Sequence, residues 1–184
     1  MIIENNFFID THLFFKKVSK KFILPNIGKL NKIDISDKPD LSKVTKFDLL
    51  VENELVEYFN KCNFNNIISE EHSSNLLKEN SYLTIDPIDG TRNFINGINK
   101  VVIMVSYIEN ESSIFSIIYD PVEDLFYHTH NNLIYKNFIE IKYSRYEKHI
   151  GFLGDHAKIY FKDYVSNPIE KKRSRSIGYD VLEV

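Results

Sequence analysis

Asp86-Pro87-Ile88-Asp89-Gly90-Thr91 decides how this chain is read. It follows an apolar, β-branched run, Tyr82-Leu83-Thr84-Ile85, that predicts a strand ending at Pro87. Gly90 and Thr91 then open a short predicted helix over 90–96, and a helix start offers backbone N–H groups to an anion. Two aspartates three residues apart flank the proline, so a turn there can aim both carboxylates at one point. Hard cations such as Mg²⁺ take oxygen ligands, commonly one or two carboxylates with phosphate and water. A turn also leaves the Ile88 carbonyl free to serve as a further oxygen ligand. Asp-Pro and Asp-Gly are ordinary turn pairs as well, whose carboxylates bond their own backbone.

Working outward, Asn66-Ile67-Ile68-Ser69 predicts another short strand, which runs into Glu70-Glu71. Glu70 stands sixteen residues before Asp86 (86 − 70). Two strands of one sheet, each ending in a carboxylate, would gather Glu70, Asp86 and Asp89 at a sheet edge, an arrangement suited to metal-assisted phosphate chemistry.

The remaining pattern is of mixed α and β type. Phe8, Phe15, Val18 and Phe22 recur at helical spacing and predict a helix over 10–24, stopped by Pro25. Residues 26–45 are polar and read as loop. A second helix is expected from Thr45 to Asn60, with Val51, Leu55, Val56 and Phe59 on one side and Asp48 and Glu52 near its first turn. Runs at 101–108 and 113–119, joined by Glu109-Asn110-Glu111-Ser112, predict an antiparallel pair. Strands are expected at 124–130, 133–143 and 150–154, a helix at 156–166, and the first turns of another from Gly178.

The 184 residues, with 43 % hydrophobic and 27 % charged, fit a globular chain that buries about 70 % of its unfolded surface. A net charge of −3 argues against non-specific nucleic-acid binding. The single cysteine, Cys62, excludes an internal disulfide framework. No apolar run reaches the roughly 20 residues of a membrane span, and the start lacks the basic, apolar order of a secretory leader, so a cytoplasmic protein is expected.

Asp86-Pro87-Ile88-Asp89-Gly90-Thr91-Arg92-Asn93-Phe94 resembles the signature of the inositol monophosphatase family of Mg²⁺-dependent, lithium-sensitive phosphatases. Companion segments follow in the family's order. Ser69-Glu70-Glu71 resembles its Gly-Glu-Glu, and Lys38 to Asp48 its Lys-x-Asp-x-Ser-x-Val-Thr-x-x-Asp approach to the second helix. Tyr119-Asp120-Pro121-Val122 resembles the turn after the signature, and Arg175-Ser176-Ile177-Gly178 a later Arg-x-x-Gly segment.

The resemblance implies a layered α-β-α-β-α sandwich, with an N-terminal metal- and phosphate-binding part over 1–148 and the start of a second α/β part over 149–184. It implies that Glu70, Asp86, the Ile88 carbonyl and Asp89 bind Mg²⁺. Gly90 and Thr91 would hold phosphate through their amides, while Asp48, Glu70 and Thr91 act on the attacking water. The implied substrate is a small phosphorylated metabolite, a polyol or sugar phosphate, with histidinol phosphate or a 3′-phosphoadenosine nucleotide as alternatives. A homodimer is the family's frequent assembly; no membrane or specific nucleic-acid partner is implied. Family members carry a further metal-binding aspartate in a Trp-Asp motif beyond the Arg-x-x-Gly segment, and this chain has no Trp. A shortened member with weak or absent turnover is therefore expected, with apolar surface uncovered around 150–184. The alternative from another class is a degenerate member that binds metal or a partner without turnover.

Several residues keep an ordinary reading beside the functional one. Asp48 also suits a first-turn carboxylate, and Thr91 a helix cap. His128 and His130 share a strand face; an exposed pair near a strand end is expected rather than a transition-metal site. Lys171-Lys172-Arg173-Ser174-Arg175 reads as a solvated loop, with RNA or an acidic partner as the other option. Arg92 suits either substrate approach or a surface ion pair.

Overall fold

The computed structural model describes residues 5–71, 80–141 and 176–178. A seven-stranded sheet runs in the order β3-β4-β5-β6-β7-β8-β9, and two helices pack aromatic side chains against it. The strands are β3 (Ile67–Ser69), β4 (Ser81–Asp89), β5 (Val102–Glu109), β6 (Ser112–Asp120), β7 (Leu125–His130), β8 (Leu133–Lys136) and β9 (Ile139–Ile141). β3 pairs with β4 in parallel; every other neighbour in this sheet is antiparallel. The strands, helices and mixed sheet agree with the α/β class expected. The strand at 150–154, the helix at 156–166, the boundary at 148/149 and the basic run at 171–175 lie outside the described residues.

The first helix, α1 (Asn5–Val18), starts earlier than its sequence pattern indicates and continues as a π-helical turn over Ser19–Ile23. The Leu24 N–H donates to the Ser19 carbonyl at 2.9 Å, a five-residue bond. One extra residue per turn rotates the inward face. Phe8, Phe15 and Val18 are buried as the spacing predicts, but Ile23 takes the core position assigned to Phe22, which is only partly covered.

Residues 26–45 are not simply loop. They hold a 3₁₀ turn (Lys32–Asp34) and a hairpin of β1 (Ile35–Asp37) and β2 (Lys43–Thr45). Its strands are only three residues long and largely half-buried or exposed, so no buried alternation marks them. Their ion pairs are local, Lys43 to Asp37 and Lys46 to Asp34. α2 (Lys46–Lys61) follows directly and buries Val51, Leu55 and Phe59, with Val56 at the margin.

β4 does not stop at Pro87. It runs to Asp89 through a register shift between Asp86 and Asp89. A bulge tolerates a residue with no N–H, and β3 has already ended at Ser69, so no partner on that side is deprived. The expected strand at 133–143 splits into β8 and β9 at Asn137-Phe138, both with positive φ. Asn110-Glu111 and Asn131-Asn132 turn the two preceding hairpins with both φ positive, as two-residue hairpin turns require.

The core is an aromatic lattice. Phe8 and Phe15 of α1 and Phe64 meet Tyr107, Phe115, Tyr119 and Phe126 of the sheet, and Phe59 of α2 meets Phe15 and Phe64, at ring separations of 5.1–6.4 Å. Each such side chain contributes on the order of 2–3 kcal/mol through burial. Asp124, in the β6–β7 turn, ties α1 to the sheet. It pairs with Lys16, meets His12 Nε2 at 3.2 Å and accepts the Tyr119 hydroxyl at 2.9 Å.

His128 is not the exposed residue that its place near a strand end suggests. It is buried between Phe8, stacked at 4.1 Å, and Tyr135 at 4.7 Å. His130 lies on the same face against Phe8. Burial first, and the neighbouring His130 second, push the His128 imidazole down to about 4 from 6.5. The unfolded chain therefore binds more protons between those values, and stability falls as pH drops through that window. In urea titrations from pH 7.5 to 4.5, His128→Phe is expected to remove about 2 kcal/mol of that acid-side loss.

Candidate metal and phosphate site

The parallel pairing of β3 and β4 builds the centre of the site. Ser69 lies opposite Ile85, so the next rung sets Glu70 beside Asp86. The Glu70 N–H donates to the Ile85 carbonyl at 3.1 Å, holding that rung in place. The sixteen-residue spacing in the sequence is this register. Asp86 is mostly buried, and one of its oxygens, Oδ1, has no hydrogen-bond partner. Its carboxyl is pushed well above the usual range, by burial first and then by the charges of Glu70 and Asp89.

Asp89 sits at the other end of the bulge. Its Oδ2 accepts the Ser176 hydroxyl at 2.7 Å and the Gly178 N–H at 2.6 Å. Burial raises its pKa, and these donors oppose the rise. A Cβ on Gly178 would sit 2.5 Å from Val102 Cγ2 and 2.6 Å from Met104 Sδ, so only glycine brings the amide this close. Ser176 and Gly178 belong to the segment that matched the family pattern, but nothing in the sequence showed that it touches Asp89.

Gly90 is the N-cap of α3 (Thr91–Asn96), with φ at +91°. A Cβ there would meet the Lys100 carbonyl at 2.8 Å. Both constraints demand glycine. Thr91 is therefore the first helical residue, not the cap, and no side chain caps this helix. Its hydroxyl lies 3.2 Å from Asp48 Oδ1 and 3.1 Å from the Ile88 carbonyl. Asp48 is buried, and burial raises its pKa against the pull of its donors. Its Oδ2 accepts the Thr45 N–H at 2.8 Å and the Thr45 hydroxyl at 2.5 Å, a capping box for α2. The two readings of Asp48 thus use different oxygens of one carboxylate.

Around this core stand groups that the sequence reading passed over. Lys38 Nζ lies 2.7 Å from Glu70 Oε1 and 2.8 Å from Glu71 Oε1. The Glu71 N–H donates to Glu52 Oε2 at 2.9 Å, and Glu52 is fully buried. Glu52 looked like an ordinary first-turn acid because its partner lies on a different element. Arg92 does not enter the cluster; its guanidinium donates to the Leu41 carbonyl at 3.4 Å.

Among the described residues, no three His, Cys, Asp or Glu side chains are already drawn around one ion-sized point. Asp86 links Glu70 to Asp89 without the three closing on a common centre. The residues nonetheless suit a hard divalent cation. A buried, unpartnered carboxylate oxygen flanked by two more carboxylates lacks positive charge, which such an ion supplies.

A model of the inositol monophosphatase family matches residues 14–147. The chain belongs to that family. Related sequences include a 3′(2′),5′-bisphosphate nucleotidase from Buchnera aphidicola, 33 % identical over 99 residues, which are 52 % of this chain and 37 % of that protein. Inositol monophosphatase 1 of Bos taurus is 34 % identical over 46 % of this chain and 32 % of its own length. A fructose-1,6-bisphosphatase/inositol-1-monophosphatase of Methanocaldococcus jannaschii is 30 % identical over 60 % of this chain and 44 % of its own. The chain thus spans less than half the length of these relatives. Among solved structures, a Thermotoga maritima IMPase superposes with TM-score 0.65 at 23 % identity, over 74 % of this chain and 53 % of that one. A Pyrococcus horikoshii protein gives 0.66 at 22 %, over 95 % and 67 %. These show the shared fold. No helix among the described residues is long and apolar enough to cross a membrane.

Asp86 gives this site a stability signature. A carboxyl raised in the folded state binds more protons there than in the unfolded chain, so stability falls as pH rises from about 4 towards neutrality. In urea titrations at pH 7.5 with chelator, Asp86→Asn is expected to be about 1–2 kcal/mol more stable than the parent. At pH 4.5 the gap should narrow.

Proposed function

We propose that this chain carries the metal- and phosphate-binding half of a Mg²⁺-dependent phosphomonoester hydrolase acting on a small polyol or sugar phosphate. The observation that carries the reading is the β3–β4 register, which sets Glu70 beside a buried Asp86 whose Oδ1 is unpartnered. Relatives named as an inositol monophosphatase, a fructose-1,6-bisphosphatase/inositol-1-monophosphatase and a 3′(2′),5′-bisphosphate nucleotidase support a small phosphate ester as the substrate.

Glu70, Asp86, Asp89 and the Ile88 carbonyl would hold the metal. When bound, the ion lowers the pKa of a water and neutralises phosphoryl oxygens. The amides of Gly90 and Thr91 orient the phosphoryl group. Thr91 donates its hydroxyl proton to Asp48 Oδ1, which leaves its lone pairs to accept a hydrogen bond from water. As the water oxygen forms a bond to phosphorus, its proton passes to Thr91 while the Thr91 proton passes to Asp48. Burial raises the proton affinity of Asp48, which suits it to receive that proton. The phosphorus–alkoxide bond breaks, the departing alkoxide takes a proton from solvent water, Asp48 returns its proton to solvent, and the alcohol and inorganic phosphate leave. A cytoplasmic setting suits soluble phosphate esters.

The second reading is metal binding without turnover. Phosphate release from inositol 1-phosphate, fructose 1,6-bisphosphate, histidinol phosphate and 3′-phosphoadenosine 5′-phosphate, with Mg²⁺ and with chelator, separates the two. Hydrolysis is expected to require Mg²⁺ and to fall at least about 100-fold in Asp89→Asn and Thr91→Ala. Calorimetric Mg²⁺ binding with no phosphate released would instead establish the second reading.

A further inference from the structure

The carboxylates of Glu70 and Glu71 share one ammonium, and it comes from a distant part of the chain. Lys38 opens the turn of the β1–β2 hairpin, 32 residues before Glu70. The turn is internally fixed. The Lys38 N–H donates to the Ser42 carbonyl at 2.9 Å, the Leu41 N–H to the Lys38 carbonyl at 2.9 Å, and Asp40 Oδ1 accepts both the Ser42 N–H and hydroxyl. The Arg92 contact to Leu41 binds the turn to α3. Lys43 and Lys46 pair with aspartates close by, whereas Lys38 reaches across to the segment after β3. Its side chain is only 18 % exposed and that of Glu71 4 %, so this contact is poorly screened by solvent.

We propose that Lys38 sets the metal affinity of the site by competing with the divalent ion for Glu70. The proposal rests on the reading of Glu70 as a metal ligand. The ammonium 2.7 Å from Glu70 Oε1 already neutralises charge that a metal ion would draw on, and two cations on one carboxylate repel. Glu71 supplies the position to which Lys38 withdraws. It already binds the same ammonium and is too enclosed to stand charged without it. Metal occupancy therefore exchanges one of two ion pairs of Lys38, not both. This keeps the affinity moderate and the hairpin attached.

The test is Mn²⁺ binding to the full 184-residue chain, followed by electron paramagnetic resonance and calorimetry without substrate. Lys38→Met is expected to bind Mn²⁺ about tenfold tighter than the parent. Lys38→Met combined with Glu71→Gln, which removes the enclosed Glu71 charge along with its ammonium and guards against misfolding, should bind severalfold tighter. Lys38→Arg, which keeps the charge, should stay within about twofold. Unchanged binding in both methionine variants overturns the proposal. Weaker binding also overturns it, because Lys38 would then be orienting Glu70 for the ion. An equal gain in Lys38→Arg overturns it too, since charge would not be the cause. If the parent itself binds no Mn²⁺, the metal reading of Glu70 fails first and takes this proposal with it.

Discussion

Three rungs of parallel pairing, Ile67 to Leu83, Ile68 to Thr84 and Ser69 to Ile85, fix the position of every other group in the site. Parallel strands point the same way, so both chains leave the pair on the same side and carry Glu70 and Asp86 out together. An antiparallel pair would have sent them to opposite ends. The pairing is unfavourable where it matters most, since it presses a carboxylate against a buried one. Such a cost persists only when surrounding structure imposes it. Here β4 is clamped on its other side by β5 along nearly its whole length, and β5 in turn by β6.

That clamp is set in the aromatic core. Leu83 and Ile85 point into it from β4, beside Val105 and Tyr107 of β5 and Phe115 of β6. Burial of these side chains stabilises the sheet by several times the cost of one crowded carboxylate. α2 joins the two regions. Its Leu55 and Phe59 face the core, while Asp48 and Glu52, nearer its start, face the site. One helix therefore spends its C-terminal half on packing and its N-terminal half on polar contacts, and a shift in its packing would move Asp48 relative to Thr91.

What the sequence revealed, and what it hid, follows from how far each signal reaches. The spacing of Glu70 and Asp86 was legible because parallel register preserves sequence offset. The first-turn place of Asp48 was legible because it is local; its capping box with Thr45 was not read. Pro87 misled, since a proline ends a strand only where its missing N–H is needed, and the neighbouring strand had already stopped. The β1–β2 hairpin left no hydrophobic alternation to read, because each strand is only three residues long and largely half-buried or exposed. Ile23 displaced Phe22 because a π turn breaks the period on which the inference stood. His128 was misplaced for a related reason: Phe8, which covers it, comes from the opposite end of the chain. The partners of Glu52, Glu71 and Asp89 are all long-range, and no pattern within one element points to them.

Asp89 carries the last consequence. Its Oδ2 is held by Ser176 and Gly178, 87 and 89 residues further along. These donors stabilise the charged carboxylate, which the proposed role of Asp89 as a metal ligand requires, and they engage one of its two oxygens. Burial pushes the Asp89 carboxyl up and these donors oppose that rise; a protonated carboxyl is a poor ligand for a hard cation. The absence of a side chain at position 178 is what permits the contact, because Val102 and Met104 fill the space around it. The acidic cluster is thus not self-sufficient within the signature at 86–94. It depends on a glycine chosen for its lack of bulk, delivered from the far end of the chain.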